Sequence, residues 1–137
     1  IMGFKLKRAL AALGVAACVA VPTLADTTFY ANALSQGGAF STTPITKKTT
    51  PTGVPATMSF TTVANYDPNV NAHPLAARVR NASGAIAVSD VQAVFGTGTY
   101  TFYYYSGYGT YGDTYVGRIA THSQSTKGAN FNVRFTP

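Results

Sequence analysis

Tryptophan and glutamate are absent from the sequence, and the single cysteine, Cys18, lies near the N-terminus. The remainder of the chain cannot form an internal disulfide and must be stable through its core alone. Glycosidases need two carboxyl groups that face each other across the scissile bond. The four carboxylic side chains all belong to aspartates, and Asp67 before Pro68 is typical of a turn. The composition therefore disfavours a glycosidase; the four residues are Asp26, Asp67, Asp90 and Asp113.

Metal ligands and nucleophile motifs are equally scarce. His73 and His122 are the two histidines, and they are far apart in the sequence. A zinc site needs three or four His, Cys or carboxylate ligands. The G-x-S-x-G elbow of the α/β-hydrolases is also absent. We expect a protein that is not an enzyme and holds no metal and no cofactor, with a small secreted hydrolase or metalloenzyme as a minority alternative.

The N-terminal segment has the pattern of a secretory signal peptide of bacterial type. A basic start with Lys5, Lys7 and Arg8 precedes an apolar run over 9–21 and a small-residue site ending at Ala25. We expect a helical signal peptide over 1–25 that is cleaved, leaving a single domain over 26–137. The apolar run is shorter than the roughly 20 residues that a membrane-spanning helix needs. The protein is therefore expected to be secreted, periplasmic or attached to the cell surface.

Cys18 offers an alternative route to the cell surface, because Val15-Ala16-Ala17-Cys18 resembles a lipobox. The apolar residues Val19-Ala20-Val21 continue beyond it, so lipidation is the weaker alternative. Removal of residues 1–25 also takes away three of the ten Lys and Arg residues. Seven cations against four aspartates leave a charge of +3, scattered along the chain, and this does not indicate a nucleic-acid partner.

The region after residue 25 shows alternating rather than helical hydrophobic periodicity. Seven or eight short strands are predicted within about 112 residues, which favours a small antiparallel β-sandwich, with a small β-barrel as the alternative. The cleanest alternation runs over 56–66 and 130–136. A hairpin is predicted over 75–88, with Ile86 and Val88 on one face.

The first part of this domain, residues 26–55, combines one strand with a proline-rich stretch. Phe29, Ala31 and Ala33 share one side of the predicted strand. Pro44 and Pro55 remove backbone donors, so the stretch around them is expected at a sheet edge or in a crossover loop. A sharper interpretation is an extended arm that is donated to a neighbouring copy, which would make the protein a self-assembling structural subunit.

The densest aromatic region runs over 94–118 and contains a glycine-rich loop over 106–113. The alternation places Tyr100, Phe102 and Tyr104 in the core. The string over 107–112 matches G-x-G-x-x-G, but a strand follows it where a phosphate-binding loop requires a helix. We interpret this string as turn-forming glycines.

Five tyrosines lie on or beside this loop and form the candidate binding surface: Tyr103, Tyr105, Tyr108, Tyr111 and Tyr115. Tyrosine combines a large contact area with a hydroxyl and little side-chain entropy, so it is enriched in recognition surfaces. The sequence therefore predicts a non-catalytic module that binds an extracellular glycan or protein surface. The plain alternative is that aromatic pairs across two neighbouring strands stabilise a hairpin.

Overall fold

The computed structural model describes residues 27–48, 52–68 and 74–137. The expected signal peptide, the lipobox at Cys18, Asp26 and His73 lie outside the described residues. Within the described ranges the chain is all-β and contains nine strands: β1 (Thr28–Leu34), β2 (Ala39–Ser41), β3 (Ile45–Thr46), β4 (Ala56–Ala64), β5 (Leu75–Asn81), β6 (Gln92–Val94), β7 (Gly98–Phe102), β8 (Thr114–Thr121) and β9 (Ala129–Thr136).

The strands form two antiparallel sheets, an architecture consistent with the predicted small β-sandwich. The first sheet has the order β1-β9-β4-β7. The second has the order β2-β8-β5-β6, and β3 also pairs with β8. Among the described residues no helix is long and apolar enough to cross a membrane.

The core lies between the inward faces of β4, β5, β8 and β9. The predicted alternation of β9 is confirmed, because Phe131, Val133 and Phe135 are buried while Asn132 and Arg134 are exposed. Full burial of one such apolar side chain contributes about 1.5–3 kcal/mol. The prediction for β7 is also confirmed: Phe102 is buried in the core, and Tyr100 and Tyr104 pack against it.

Residues 27–48 form edge strands within their own chain. Strand β1 pairs with β9 over seven residue pairs at one edge of the first sheet. Strands β2 and β3 pair with β8 in the second sheet. The side shared by Phe29, Ala31 and Ala33 faces solvent, whereas Tyr30 and Leu34 pack against the core. The outer face therefore carries one large apolar side chain, Phe29, which is 70 % exposed.

Three other alternations differ from the sequence-based prediction for identifiable reasons. A β-bulge in β4 between Phe60 and Thr62 shifts the register, so that Val63 packs against the core. The 75–88 hairpin closes with a backbone bond from Val88 to Val79, but the return segment is irregular, and Ile86 is exposed where Val88 is buried. Around β6 the sequence alternates Val91, Ala93 and Phe95, but the buried residue is Val94, which interrupts that alternation.

Gly128 marks the place where β9 begins against the end of β1. A Cβ at this position would lie 1.6 Å from the carbonyl oxygen of Leu34. We expect Gly128→Ala to lower the free energy of unfolding by about 1–3 kcal/mol or more, because β1 must shift away from β9. Urea denaturation would measure this. Gly96→Ala is the control, since a Cβ there meets nothing within 4 Å; equal stability of the two variants would contradict the expectation.

Candidate functional site

The tyrosine- and glycine-rich segment connects the two sheets and does not form a hairpin. Strand β7 pairs with β4 in the first sheet, while β8 pairs with β5 and β2 in the second. Residues 103–113 therefore cross from one sheet to the other at one end of the sandwich. The hairpin alternative for the tyrosines is wrong in this respect, because the strands that flank the loop are not neighbours. We call residues 103–113 the crossing loop.

Backbone hydrogen bonds fasten the crossing loop to the segment around β3. The backbone N–H of Lys47 donates to the carbonyl of Asp113 at 2.8 Å, and the N–H of Gly112 donates to the carbonyl of Lys47 at 2.9 Å. The N–H of Gly53 donates to the carbonyl of Gly109 at 2.9 Å. Residues in this proline-rich segment were expected to form a solvated loop or edge. Instead, Lys47 and Gly53 supply the backbone hydrogen-bond partners that a neighbouring strand would otherwise give the crossing loop. We call the residues that hold the crossing loop in this way its support.

Tyr115 belongs to this support and not to the exposed surface, which corrects its assignment to the candidate binding surface. Its side chain is 2 % exposed, because it lies on the inward face of β8 with Ile119. Its hydroxyl oxygen accepts hydrogen bonds from the backbone N–H of Gly109 at 2.8 Å and of Thr110 at 3.2 Å. The ring packs against Tyr104 with centroids 4.9 Å apart. Tyr115 is therefore a buried residue whose hydroxyl holds the crossing loop in place.

Lys47 is the least expected member of the support. Its side chain is fully buried, its Nζ donates to the carbonyl of Val54 at 2.7 Å, and the ammonium lies 5.1 Å from the centre of the Tyr104 ring. Burial lowers the pKa of Lys47 below its usual value. Burial and the neighbouring Tyr115 raise the pKa of Tyr104. The ammonium, the aromatic ring and the carbonyl together join three separate segments of the chain.

Gly109 fits this arrangement only because it lacks a side chain. Its φ is +83°, and a Cβ would lie 2.6 Å from a ring carbon of Tyr104. Both the left-handed backbone and the close approach favour glycine here. The glycines of the crossing loop are therefore turn-formers, as predicted, and β8 follows the G-x-G-x-x-G string directly.

The other four predicted tyrosines are exposed: Tyr103, Tyr105, Tyr108 and Tyr111, with 71 %, 41 %, 36 % and 47 % of their surface accessible. The hydroxyl of Tyr105 donates to the carboxylate of Asp90 at 2.6 Å, and this hydrogen bond raises the pKa of Tyr105. The crossing loop thus exposes four aromatic rings, and the carboxylate of Asp90 orients one of them, the ring of Tyr105.

A shallow groove of about 280 Å³ lies beside Tyr108. Its wall includes Asp113 and Thr114 from the end of the crossing loop and the start of β8, and Asn81 from the end of β5. No described residue donates a hydrogen bond to the Asp113 carboxylate. The groove therefore combines an aromatic ring with a carboxylate and an amide that are suited to binding neighbouring hydroxyls. Neither Asp113 nor Asn81 was predicted as a binding residue; the position of Asp113 at the end of the glycine-rich loop is the one signal in the sequence that points to it.

The remaining polar candidates have structural partners. The carboxylate of Asp67 accepts from the backbone N–H of Thr126 at 3.1 Å and from its hydroxyl at 2.7 Å, which agrees with its expected structural role. The Nδ1 of His122 accepts from the backbone N–H of Gln124 at 3.0 Å. Within 27–48, 52–68 and 74–137, no group of three His, Cys, Asp or Glu residues could hold a metal ion.

Removal of the Tyr115 hydroxyl tests the support. Tyr115→Phe leaves the buried amide of Gly109 and the partly buried amide of Thr110 without their acceptor, so we expect a loss of about 1–3 kcal/mol in the free energy of unfolding. Hydrogen exchange at these two amides should become faster. Tyr103→Phe is the control, because this tyrosine is largely exposed. Unchanged exchange at Gly109 and Thr110 in Tyr115→Phe would show that the hydroxyl does not hold the loop.

No protein-family model matches the chain, and no curated protein matches it either. The function of the protein must therefore be inferred from the crossing loop and the groove beside Tyr108.

Proposed function

We propose that this protein is a secreted, non-catalytic module that binds an extracellular surface through the crossing loop, and that the bound surface is a glycan. The N-terminal pattern over 1–25 supports export. The exposed Tyr108, beside the carboxylate of Asp113, is the single observation that carries the binding proposal. A protein surface is the other partner that exposed tyrosines fit.

The geometry supports recognition because the loop is fastened from below. The backbone bonds to Lys47 and Gly53 and the Tyr115 hydroxyl hold the crossing loop, so the exposed rings lose little freedom on binding. Binding surfaces that are already ordered avoid part of the entropy cost of association. A sugar ring can stack on Tyr108 while its hydroxyls donate to Asp113 and accept from the Asn81 amide.

Replacement of the exposed rings tests this proposal. We expect the purified protein to be retained by glycans on an array of neutral and acidic oligosaccharides, and Tyr108→Ala and Tyr111→Ala to weaken binding at least about tenfold, or about 1.4 kcal/mol. Titration calorimetry with the retained glycan would measure this. Melting temperatures should change little, because both residues are exposed and lie outside the core cluster.

Tyr66→Ala is the matched control for this experiment. Tyr66 is 36 % exposed, as is Tyr108. It lies beyond the far end of the nine-residue strand β4, about 27 Å along the strand from the end that begins near the crossing loop. Retention of no glycan on the array would contradict the glycan proposal. Loss of melting temperature in step with loss of binding would assign the tyrosines a structural role.

A second candidate function, self-assembly, is favoured by the composition of strand β1. This edge strand is seven residues long, contains no Pro or charged residue, and exposes Phe29 at 70 %. Uncharged edge strands offer unpaired backbone groups to another chain. The Asn32 side chain covers one of these groups, since its Oδ1 accepts from the N–H of Ala33 at 2.7 Å. Because β1 already pairs with β9 in its own chain, edge-to-edge addition is simpler than donation of the whole arm.

Charge on the β1 edge tests self-assembly. If copies associate through β1, Ala31→Lys should abolish oligomers seen by size-exclusion chromatography with light scattering, because a lysine on an edge strand opposes further pairing. Asn132→Lys is the control, since Asn132 lies opposite Ala31 on the same face but on the interior strand β9. A wild-type protein that is monomeric at all concentrations would rule out this candidate.

A further inference from the structure

Three arginines that are scattered in the sequence come together on the outer face of the second sheet. Arg78 of β5 lies directly opposite Arg118 of β8 in the strand register. Arg80 lies two residues further along β5, so it projects on the same face. All three side chains are partly buried. We call this set the arginine face.

No described carboxylate forms an ion pair with the arginine face. Arg78 donates to the carbonyl of Ser89 at 3.1 Å, Arg80 to the carbonyl of Gly84 at 3.1 Å, and Arg118 to the hydroxyl of Ser41 at 3.2 Å. These acceptors are uncharged, and they leave further N–H donors on each guanidinium. The nearby Asp90 accepts from the hydroxyl of Tyr105 at 2.6 Å.

Two features make this arrangement costly for the isolated chain. Like charges placed directly opposite each other on neighbouring strands are destabilising. In addition, the Nε atoms of Arg78 and Arg80 are buried and have no hydrogen-bond partner among the described residues. A buried donor without an acceptor costs free energy. An anion with several oxygen atoms bound beside the guanidinium groups would offset the repulsion between Arg78 and Arg118.

The arginine face also contains a concavity that can accept such a group. The depression has a volume of about 130 Å³, and Ala76, Ala120 and Val91 line it together with the three arginines. A water molecule takes up about 30 Å³ of liquid, so the depression has room for a compact anion of several atoms. The short side chains of Ala76 and Ala120 leave the depression open between the arginines.

We propose that Arg78, Arg80 and Arg118 form a binding site for an oxyanion, the sulfate or phosphate ester group of a glycan. The guanidinium fork matches the spacing of two oxygens on such a group, and charge-assisted hydrogen bonds of this kind are strong. That the ester is carried by a glycan rests on the function proposed above; the oxyanion site itself rests only on the arginine face.

The position of the arginine face relative to the groove beside Tyr108 supports a shared polymeric ligand. Thr114, which lines that groove, and Arg118 both lie on the outer face of β8. They are four residues apart, which is about 13 Å along a strand. An extended acidic glycan would therefore contact the ring of Tyr108 and place an anionic substituent at the arginine face.

Inorganic anions provide the first test. We expect sodium sulfate and sodium phosphate to raise the melting temperature of the purified protein in a saturable way, beyond the effect of sodium chloride at equal ionic strength. Arg118→Gln, and the double variant Arg78→Gln with Arg118→Gln, should lose this response. Arg118→Gln without added anion should melt at or above the wild-type temperature, because Arg78 no longer faces a like charge, so loss of the response cannot be ascribed to unfolding.

Arg134→Gln is the matched control, because Arg134 lies on the first sheet with its guanidinium 5.8 Å from the Phe29 ring. It should keep the full response to sulfate. An equal response to chloride, or an equal loss in Arg134→Gln and Arg118→Gln, would overturn the site and leave only a general effect of positive charge.

A second measurement distinguishes the source of the anion. Dextran sulfate should bind at least tenfold more tightly per sulfate group than inorganic sulfate, uncharged dextran should bind more weakly than dextran sulfate, and Arg118→Gln should remove the difference. Equal affinity per sulfate would overturn the polymeric ligand and assign the site to free oxyanions. Tyr108→Ala should keep the response to inorganic sulfate, so failure of the crossing-loop proposal and failure of the arginine site give different results.

Discussion

The need to satisfy backbone polar groups where the chain crosses between sheets shapes this end of the molecule. Residues 103–113 leave β7 and enter β8, and an isolated bridge between Tyr104 and Ser89 is their one β-type pairing among the described residues. Their buried N–H and C=O groups need partners, since an unpaired buried group costs about 1–3 kcal/mol. Lys47, Gly53 and Tyr115 provide those partners from three other parts of the chain. The exposed tyrosines can be held in place because these contacts exist beneath them.

Lys47 shows how a carbonyl and an aromatic ring accommodate a buried charge. The Nζ donates to the carbonyl of Val54 and lies over the ring of Tyr104, so a carbonyl dipole and an aromatic face both act on the ammonium. Its lowered pKa reflects the cost of burial that these contacts offset only in part. The backbone N–H and C=O of the same residue both form hydrogen bonds with the crossing loop. One residue thus links the stability of β3 to the position of the candidate site.

The features that depend on local alternation were predictable from the sequence, and those that depend on strand pairing were not. Strand β9 alternates without exception, so its inward residues were correctly identified. The pairing of β7 with β4, and not with β8, depends on contacts between residues far apart in the chain, which periodicity does not encode. Strand β1 alternates as predicted, yet periodicity alone could not decide which of its two faces is buried.

The candidate site also combines residues whose positions local sequence predicts with residues whose positions depend on strand pairing. Glycine content and loop position correctly predicted that Tyr108 and Tyr111 are exposed. Tyr115 was misassigned because its neighbourhood in the sequence is the loop, whereas the parity of β8 turns it inward. Arg78 and Arg118 are forty residues apart in the sequence, and only the β5–β8 register brings them together. A charge that is scattered in sequence can therefore be concentrated in space.

The outer faces of the two sheets differ in a way that bears on where a ligand can lie. On the first sheet, hydroxyls bind one another across strands, as in the 2.8 Å contact between Ser59 and Thr99 and the 2.8 Å contact between Thr27 and Thr136. Those groups have partners within the chain. On the second sheet, the arginines face uncharged acceptors, and the groove beside Tyr108 opens at the start of the same strand, β8. Strand β8 carries Arg118 and begins where the crossing loop ends. A ligand that lies along β8 can therefore contact both the aromatic ring of Tyr108 and the positive charge of the arginine face.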